Sequence, residues 1–418
     1  MLTIKESTTK HDLCINCGIC KSICPSDAIT LKSNKYNEQV ATIDKKKCTK
    51  CGMCEKYCPQ TINKIKQEAV SVNNSENPNT YGIENASYYL AWNENNSERI
   101  NCASGGAITK FAKYLLDTKN IDGVVHVERI AAKRNEPHYK ACLSTSNEEL
   151  QARVSSAYQP IDFSDILMNL NKNKTYLLIG TPCIIRGVKK LFEETSKYKH
   201  INLITCALIC SHNTNIQFVD YFADKHSIPN ELAYKINMRN KDAIIDANNF
   251  NNHYYTENKD LLKMNRFESG WTNIWRSYYF SMNCCLYCSD FWGCEADFSV
   301  KDAWGEWAID PLGKSIVVIR NKKINDLFLK SGLKTAPLDY KTMRSHQKLS
   351  TDFKQKEAYN KLYKNILSPE NRRNGLFKFF VISKCSKFLY SKLGYKLTST
   401  TMNLVEKIIS KGERFGIK

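Results

Sequence analysis

Eight cysteines near the start of the chain repeat one pattern. Cys14, Cys17, Cys20 and Cys24 precede Pro25, and Cys48, Cys51, Cys54 and Cys58 precede Pro59. Each copy reads CxxCxxCxxxCP, and each cysteine of the second stands 34 positions after its counterpart. Three closely spaced thiolates can wrap three irons of a cubane. The fourth, set apart by a longer gap and braced by proline, points away and ligates the neighbouring cluster. The spacing therefore assigns Cys14, Cys17, Cys20 and Cys58 to one 4Fe–4S cluster, and Cys48, Cys51, Cys54 and Cys24 to a second. Gly18 and Gly52 allow the backbone close to inorganic sulfur. Zinc favours two separated ligand pairs, and disulfides leave the trailing prolines unexplained.

A chain of 418 residues has room for two or three domains. The opening MLTIKESTTKHDLC has no apolar signal core, and no run approaches the ~18 to 20 apolar residues of a membrane span. The expected compartment is the reducing cytoplasm, where cysteines serve metals. The net charge of +19 is lopsided: 18 Lys and Arg face 5 Asp and Glu between Lys341 and Lys418. Such asymmetry suggests a partner surface at one end. Within this tail, Gly375–Leu397 joins large apolar residues to Lys378, Lys384, Lys387, Lys392 and Lys396. Its run Phe379–Ile382 is too short to span a bilayer. The preferred reading is a helix packed on the protein; the second is peripheral contact with anionic lipid at the inner membrane face. Nucleic acid is not expected as a partner, because the tail's aromatic residues sit in apolar runs rather than forming a stacking platform.

The expected fold class is α+β: a two-cluster ferredoxin domain (1–65), an Asn- and Ser-rich linker (66–97), an α/β domain (98–340) and a basic helical tail (341–418). In the third segment a Gly-rich turn, an amphipathic helix ending near Leu115 and Leu116, and a strand through Val124, Val125 and Val127 follow one another. TYLLIGTPCIIRGVKKLF repeats this order, and HINLITCALIC and SIVVIR read as buried strands.

Two turns in this region are candidate cofactor sites. Ser104-Gly105-Gly106 opens a helix, where backbone N–H groups and the helix dipole attract a flavin or nucleotide phosphate. Gly180-Thr181-Pro182-Cys183 follows a strand, where α/β proteins place ligands. The bland readings are an N-cap and a sharp turn. A third cysteine group, Cys284, Cys285, Cys288 and Cys294, suggests a further cluster, completed by Cys210, Cys206 or Cys183. His212 is a candidate proton donor, although a structural hydrogen-bonding role is commoner for such a residue. His11 reads as a surface residue. Trp271, Trp275, Trp304 and Trp307 read first as core and second as cover for a cofactor.

The words SGG, DGVV, SSAYQP, GTPC, CSHN, EADFSVKDAW and GKSIVVIRN, in that order, resemble the coenzyme F-420 hydrogenase/dehydrogenase beta-subunit family, fused to an N-terminal two-cluster ferredoxin. The resemblance covers roughly residues 1–62 and 98–322. It implies a flavoprotein, usually with FAD, and a third 4Fe–4S cluster beside the flavin. By position, Ser104, Gly105 and Gly106 would meet the FAD phosphates. Thr181, Pro182 and Cys183 would lie near the flavin, with Ser156 and Tyr158 lining the site. Cys210, Cys285 and Cys288 would be cluster ligands, with Cys294 a further candidate and the fourth ligand open. Two positions depart from the family: Ala157 replaces a basic residue, and Lys301 replaces a glycine. Similar fused proteins occur among bacterial surface-polysaccharide genes. The expected function is an oxidoreductase passing electrons from the ferredoxin clusters through an inner cluster to FAD and a small-molecule substrate. The rival is a non-catalytic electron-transfer subunit for a partner enzyme. Either reading implies a protein electron donor or acceptor.

Overall fold

The computed structural model describes residues 3–73, 81–153, 156–241, 246–348, 350–352, 354–355 and 376–414. Its first unit is small. β1 (Ile29–Ser33) and β2 (Gln39–Ile43) form an antiparallel hairpin between the two cysteine loops. Each loop turns through a left-handed glycine, Gly18 or Gly52, into a short helix, Ile19–Ser22 or Met53–Tyr57. The core here is Ile4, Ile29 and Ala41 packed among cysteines. Leu13, Ile15, Ile19, Ile23 and Tyr57 of the same unit are buried instead in the main core of the chain, so its apolar stabilisation is shared with the sheet domain.

An eight-stranded mixed sheet forms the centre of the molecule. In chain order its strands are β3 (Ser87–Trp92), β4 (Gly123–Arg129), β5 (Tyr139–Ser144), β6 (Thr175–Gly180), β7 (Asn202–Leu208), β11 (Phe298–Asp302), β12 (Ser315–Ile319) and β13 (Lys334–Pro337). Across the sheet they run β13-β3-β12-β11-β7-β6-β4-β5, with β4, β6, β7 and β11 mutually parallel. β12 is buried along its whole length, as expected of a Val/Ile run covered on both faces. β8 (Lys235–Asn240), β9 (Asn251–Tyr255) and β10 (Asp260–Asn265) make a separate antiparallel sheet.

β3 corrects the linker reading of 66–97. SYYLAW pairs with both β12 and β13 inside the sheet, and the helix Ile62–Asn73 runs through the start of that stretch. The surrounding Asn and Ser hid a strand of six residues. Residues 74–80, the centre of the expected linker, lie outside the described residues.

The first unit docks directly on the sheet domain. A side-chain carbon on Gly187 would fall 2.5 Å from Ile19 and 3.1 Å from Pro59, so only glycine lets the helix Pro182–Glu194 approach the cysteine loops. Phe163 donates its N–H to the Cys17 carbonyl at 3.1 Å.

The tail helix, Leu376–Arg414, breaks at Gly394, whose φ is +69°. Ile382, Tyr390 and Met402 are buried against the protein. Ser383 donates to the Ser281 carbonyl at 2.7 Å, and Ser386 accepts from the Phe280 N–H at 3.1 Å. Two of the lysines read as candidates for lipid contact are engaged elsewhere. Lys384 pairs with Asp12 at 2.7 Å, and fully buried Lys387 pairs with Glu38 at 2.7 Å. The structure thus supports packing for this part of the tail. Gly375 and the side chains of Leu376–Val381, including Lys378, lie outside the described residues. Among the described residues no helix is long and apolar enough to cross a membrane.

Candidate functional site

The N-terminal thiols form two neighbouring sets. Cys24 lines one small hollow with Cys48, Cys51 and Cys54, roofed by Ile29 and Ile43 of the hairpin. Cys14, Cys17, Cys20 and Cys58 lie close enough to raise one another's pKa, with burial the larger cause. Burial pushes Cys14 up to about 11. Thiols so desolvated ionise only beside a strong positive charge, which is what bound iron supplies. The surroundings suit sulfur ligands as well: the Ala28 backbone N–H donates to Cys24 Sγ at 3.3 Å, and the Thr8 hydroxyl lies 3.4 Å from Cys58 Sγ. Among the described residues no group of three or more His, Cys, Asp or Glu is drawn tightly enough to hold one metal ion.

A third thiol set gathers at the C-terminal ends of β6 and β7. Cys183 sits in the first turn of the helix Pro182–Glu194, its Sγ 3.2 Å from Thr181 Oγ1. Cys210 follows β7, and Cys285 and Cys288 come from the loop after Phe280. Burial pushes Cys183, Cys210 and Cys288 each up to about 12, and these sulfurs act on one another electrostatically. Cys285 differs: a hydrogen bond from Cys284 draws its pKa below the ordinary thiol value, and Lys354 and the Asn213 N–H add to the effect. Lys354 Nζ lies 3.3 Å from Cys288 Sγ. Burial opposes the charge on Lys354, but Cys288, Cys210 and Cys285 outweigh it and hold its pKa up.

Cys294 does not join this set. Its Sγ donates to Asp290 Oδ1 at 3.3 Å and packs on Gly82, on the far side of the loop. Glycine at 293, with φ +69°, turns the chain away. Cys206, an open alternative from the sequence, is buried among apolar residues of the sheet. Cys183, read in the sequence both as a flavin neighbour and as a possible cluster ligand, stands with the thiols and lines the cavity beside them.

These sulfurs form one wall of a cavity of about 1080 Å³. Ser104, Gly106, Ser156, Tyr158, Thr181 and Pro182 all line it, as does the first turn of the helix Ala107–Asp117, whose leading N–H groups have no partner within the helix. Gly106 takes φ +74° to open that helix. Gly105 packs closely behind this turn. It is not part of the wall, and a side-chain carbon there would fall 2.7 Å from the Ala91 carbonyl and 2.9 Å from the Ser315 N–H. Ser104 likewise turns its hydroxyl away, to the Lys314 carbonyl at 2.6 Å. Any phosphate would therefore meet backbone N–H groups rather than these side chains. Gly105→Ala is expected to destabilise the fold by ~1–3 kcal/mol through overpacking, and to lower any cofactor content only as a consequence. Chemical denaturation of the variant checks this.

His212 lines the cavity, stacked between Trp275 at 3.9 Å and Tyr278 at 4.3 Å. Burial, then Lys354 and Lys301, push its pKa down to about 3. Neither of its ring nitrogens has a hydrogen-bond partner among the described residues. Trp271 and Trp275 stack at 5.4 Å and line the wall with Trp304. Trp307 stacks on His346 instead. Lys301 reaches the Phe291 ring at 4.5 Å, and burial lowers its pKa to about 8. Lys241, next to the glycine turn, donates to the carbonyls of Arg99, Ser104 and Leu312, and burial lowers its pKa to about 7. Lys354, Lys241, Arg239 and Arg266 went unrecognised in the sequence. In a lysine-rich chain nothing in their local pattern sets them apart.

Three family models cover most of this architecture. Residues 13–62 match a 4Fe-4S dicluster domain. Residues 88–168 match the N-terminal model of the coenzyme F420 hydrogenase/dehydrogenase beta subunit, and residues 173–341 match its C-terminal model. A curated relative, the F420-dependent formate dehydrogenase subunit beta of Methanocaldococcus jannaschii, is 28% identical over 128 residues, which are 28% of this chain and 31% of that protein. The aligned part is thus about a third of the relative's length. Among solved structures, a chain of the F420-reducing [NiFe] hydrogenase complex from Methanosarcina barkeri, studied by xenon derivatization, aligns with a TM-score of 0.47 at 17% identity, covering 67% of this chain and 92% of that one. The protein carries a ferredoxin-type 4Fe–4S domain at its N-terminus and belongs to the coenzyme F420 hydrogenase/dehydrogenase beta-subunit family.

Proposed function

We propose that this chain is the electron-transferring, flavin-binding component of an oxidoreductase and works with a partner enzyme. One observation carries the reading: the three thiol sets are contiguous and end at the cavity. Cys20 lies near enough to Cys54 to feel its charge, and Cys17 near enough to Cys183. Cys183, Cys210, Cys285 and Cys288 would hold a third 4Fe–4S cluster. The cavity would hold FAD, its phosphates at the first turn of the helix Ala107–Asp117 and its rings against Trp271, Trp275 and Tyr158. Flavin would supply the conversion between single electrons and electron pairs. The residues of this chain bind, orient and exclude water, and the buried aromatic walls keep the transfer dry. A non-catalytic electron-transfer role asks least of this chain, which need only hold the clusters and the flavin within reach of one another. The family resemblance to beta subunits of hydrogenases and formate dehydrogenases agrees with this, as does a partner able to donate or accept electrons.

A second reading uses the same cavity, about 1080 Å³ in volume: a small oxidisable or reducible substrate would lie beside FAD within it. The deazaflavin coenzyme and a sugar-linked substrate are both candidates of that kind.

Anaerobic, iron-loaded protein should bind FAD, and dithionite should reduce clusters and flavin in sequence. In Cys183→Ala the N-terminal clusters should still bleach while flavin reduction lags. Failure of the wild-type protein to bind flavin would remove the proposal's flavin half. Equal flavin reduction rates in both proteins would remove the proposed path.

A further inference from the structure

At Arg239 the cavity holds a feature that electron transfer does not account for. The pairing of β8 with β9 shifts register between Asn237 and Asn240, and Arg239 has φ +64°. A bulge of this kind re-aims a side chain, and the left-handed backbone of a long residue is a strain retained for a reason. The bulge turns Arg239 inward: the residue is 6% exposed and lines the cavity. Nη1 is paired with Asp302. Nε and Nη2 are buried and form no well-aligned hydrogen bond among the described residues; the Tyr158 hydroxyl is close enough to act on the guanidinium but does not complete its fork. Buried guanidinium donors without acceptors are costly and rare.

Arg266 stands beside it. Both guanidinium carbons lie 4.7 Å from the Phe250 ring centre, and the Trp304 ring is 5.1 Å from Arg239 and 5.9 Å from Arg266. The rings fix both cations in place. Arg276 lines the same cavity, and Lys241 lies close enough to feel the charge of Arg239. Facing them, Asp302 and Asp246 are the carboxylates at this end of the wall. Like charges held this close in a desolvated site raise each other's energy, and a bound anion relieves that.

We propose that Arg239 and Arg266 form an oxyanion subsite that takes a phosphate or carboxylate of a ligand in the cavity. The inference rests on the cavity being a ligand site, as proposed above, and not on the ligand being a flavin. Two sources share this chemistry: the pyrophosphate of FAD itself, and an acidic group on a second, exchangeable ligand.

The test uses the full-length, iron-loaded protein and inorganic pyrophosphate, followed by calorimetry. Flavin-free wild-type protein binds pyrophosphate. Arg239→Gln weakens binding roughly 10- to 100-fold, the usual effect of losing charge-assisted hydrogen bonds, with iron content and circular dichroism unchanged. Asp302→Asn removes the competing carboxylate and tightens binding; this second variant keeps the proposal testable should Arg239→Gln fail to fold. Repeating the titration with FAD present separates the sources. If FAD blocks pyrophosphate, the oxyanion is the flavin's own. If pyrophosphate still binds, it belongs to a second ligand. No binding by wild-type protein, equal binding by Arg239→Gln, or weaker binding by Asp302→Asn overturns the proposal. A protein that binds pyrophosphate but no flavin leaves the subsite standing and removes only the flavin assignment.

Discussion

Cys288→Ala and Cys183→Ala are each expected to lower the iron of anaerobically purified protein from about twelve atoms per chain to about eight. Cys294→Ala should leave it at about twelve. The contrast follows from placement. Cys183, Cys210, Cys285 and Cys288 act on one another electrostatically and share one wall of the cavity, whereas Cys294 points to Asp290 and Gly82. Each member of a four-thiolate set holds one iron, so losing one ligand releases or degrades that cubane and spares the others. The measurement is iron and acid-labile sulfide per chain, with absorbance as a control for the ferredoxin clusters. Iron loss from Cys294→Ala and none from Cys183→Ala would reverse the ligand assignment. Iron unchanged in both Cys288→Ala and Cys183→Ala would remove the third cluster.

The second large effect concerns the Lys387–Glu38 pair. Its groups are 2.7 Å apart with side chains only 1% and 3% exposed, and Lys387 also donates to the Ser281 carbonyl at 2.8 Å. Lys387→Met would leave a carboxylate buried without its cation, which typically costs ~3–5 kcal/mol. The double variant Lys387→Met with Glu38→Gln leaves no orphan charge and should recover much of that loss. The readout is urea denaturation followed by the visible absorbance of the clusters, because the pair joins the tail helix to the N-terminal module. A loss in the single variant no larger than in the double one would make the pair incidental.

The parts of this protein dictated by covalent spacing were readable from the chain. Eight thiols at fixed intervals name a ferredoxin module because the backbone between them is too short for alternatives, and residues 13–62 match a dicluster domain. Strands such as β6 and β12 were readable too, since continuous apolar runs leave little choice. β3 was not: SYYLAW lies in a polar neighbourhood, and its partners in the sheet come more than 200 positions later. The third thiol set shows the same limit. Proximity in sequence favoured Cys294, but one loop turn sends it elsewhere, while Cys183 arrives from a helix a hundred residues upstream. Gly105 was read for its place in a phosphate turn, whereas its smallness serves the contact with Ala91 and Ser315. Lys354 lies in the tail region where many lysines look alike, and only folding distinguishes the one that touches Cys288.

The tail's contact with the N-terminal module also sets an order of events during synthesis. Asp12 leaves the ribosome 372 residues before its partner Lys384, and Glu38 leaves 349 residues before Lys387. At ~5–20 residues per second that is a wait of about 20 to 75 s. Throughout it, the cysteine loops are made while the clasp that will hold them is not. The N-terminal module is therefore complete in sequence well before the helix that packs over it exists. A chain that stops short of this helix would leave the Glu38 carboxylate without its cation, so the N-terminal module reaches its full stability only when synthesis has run almost to the end.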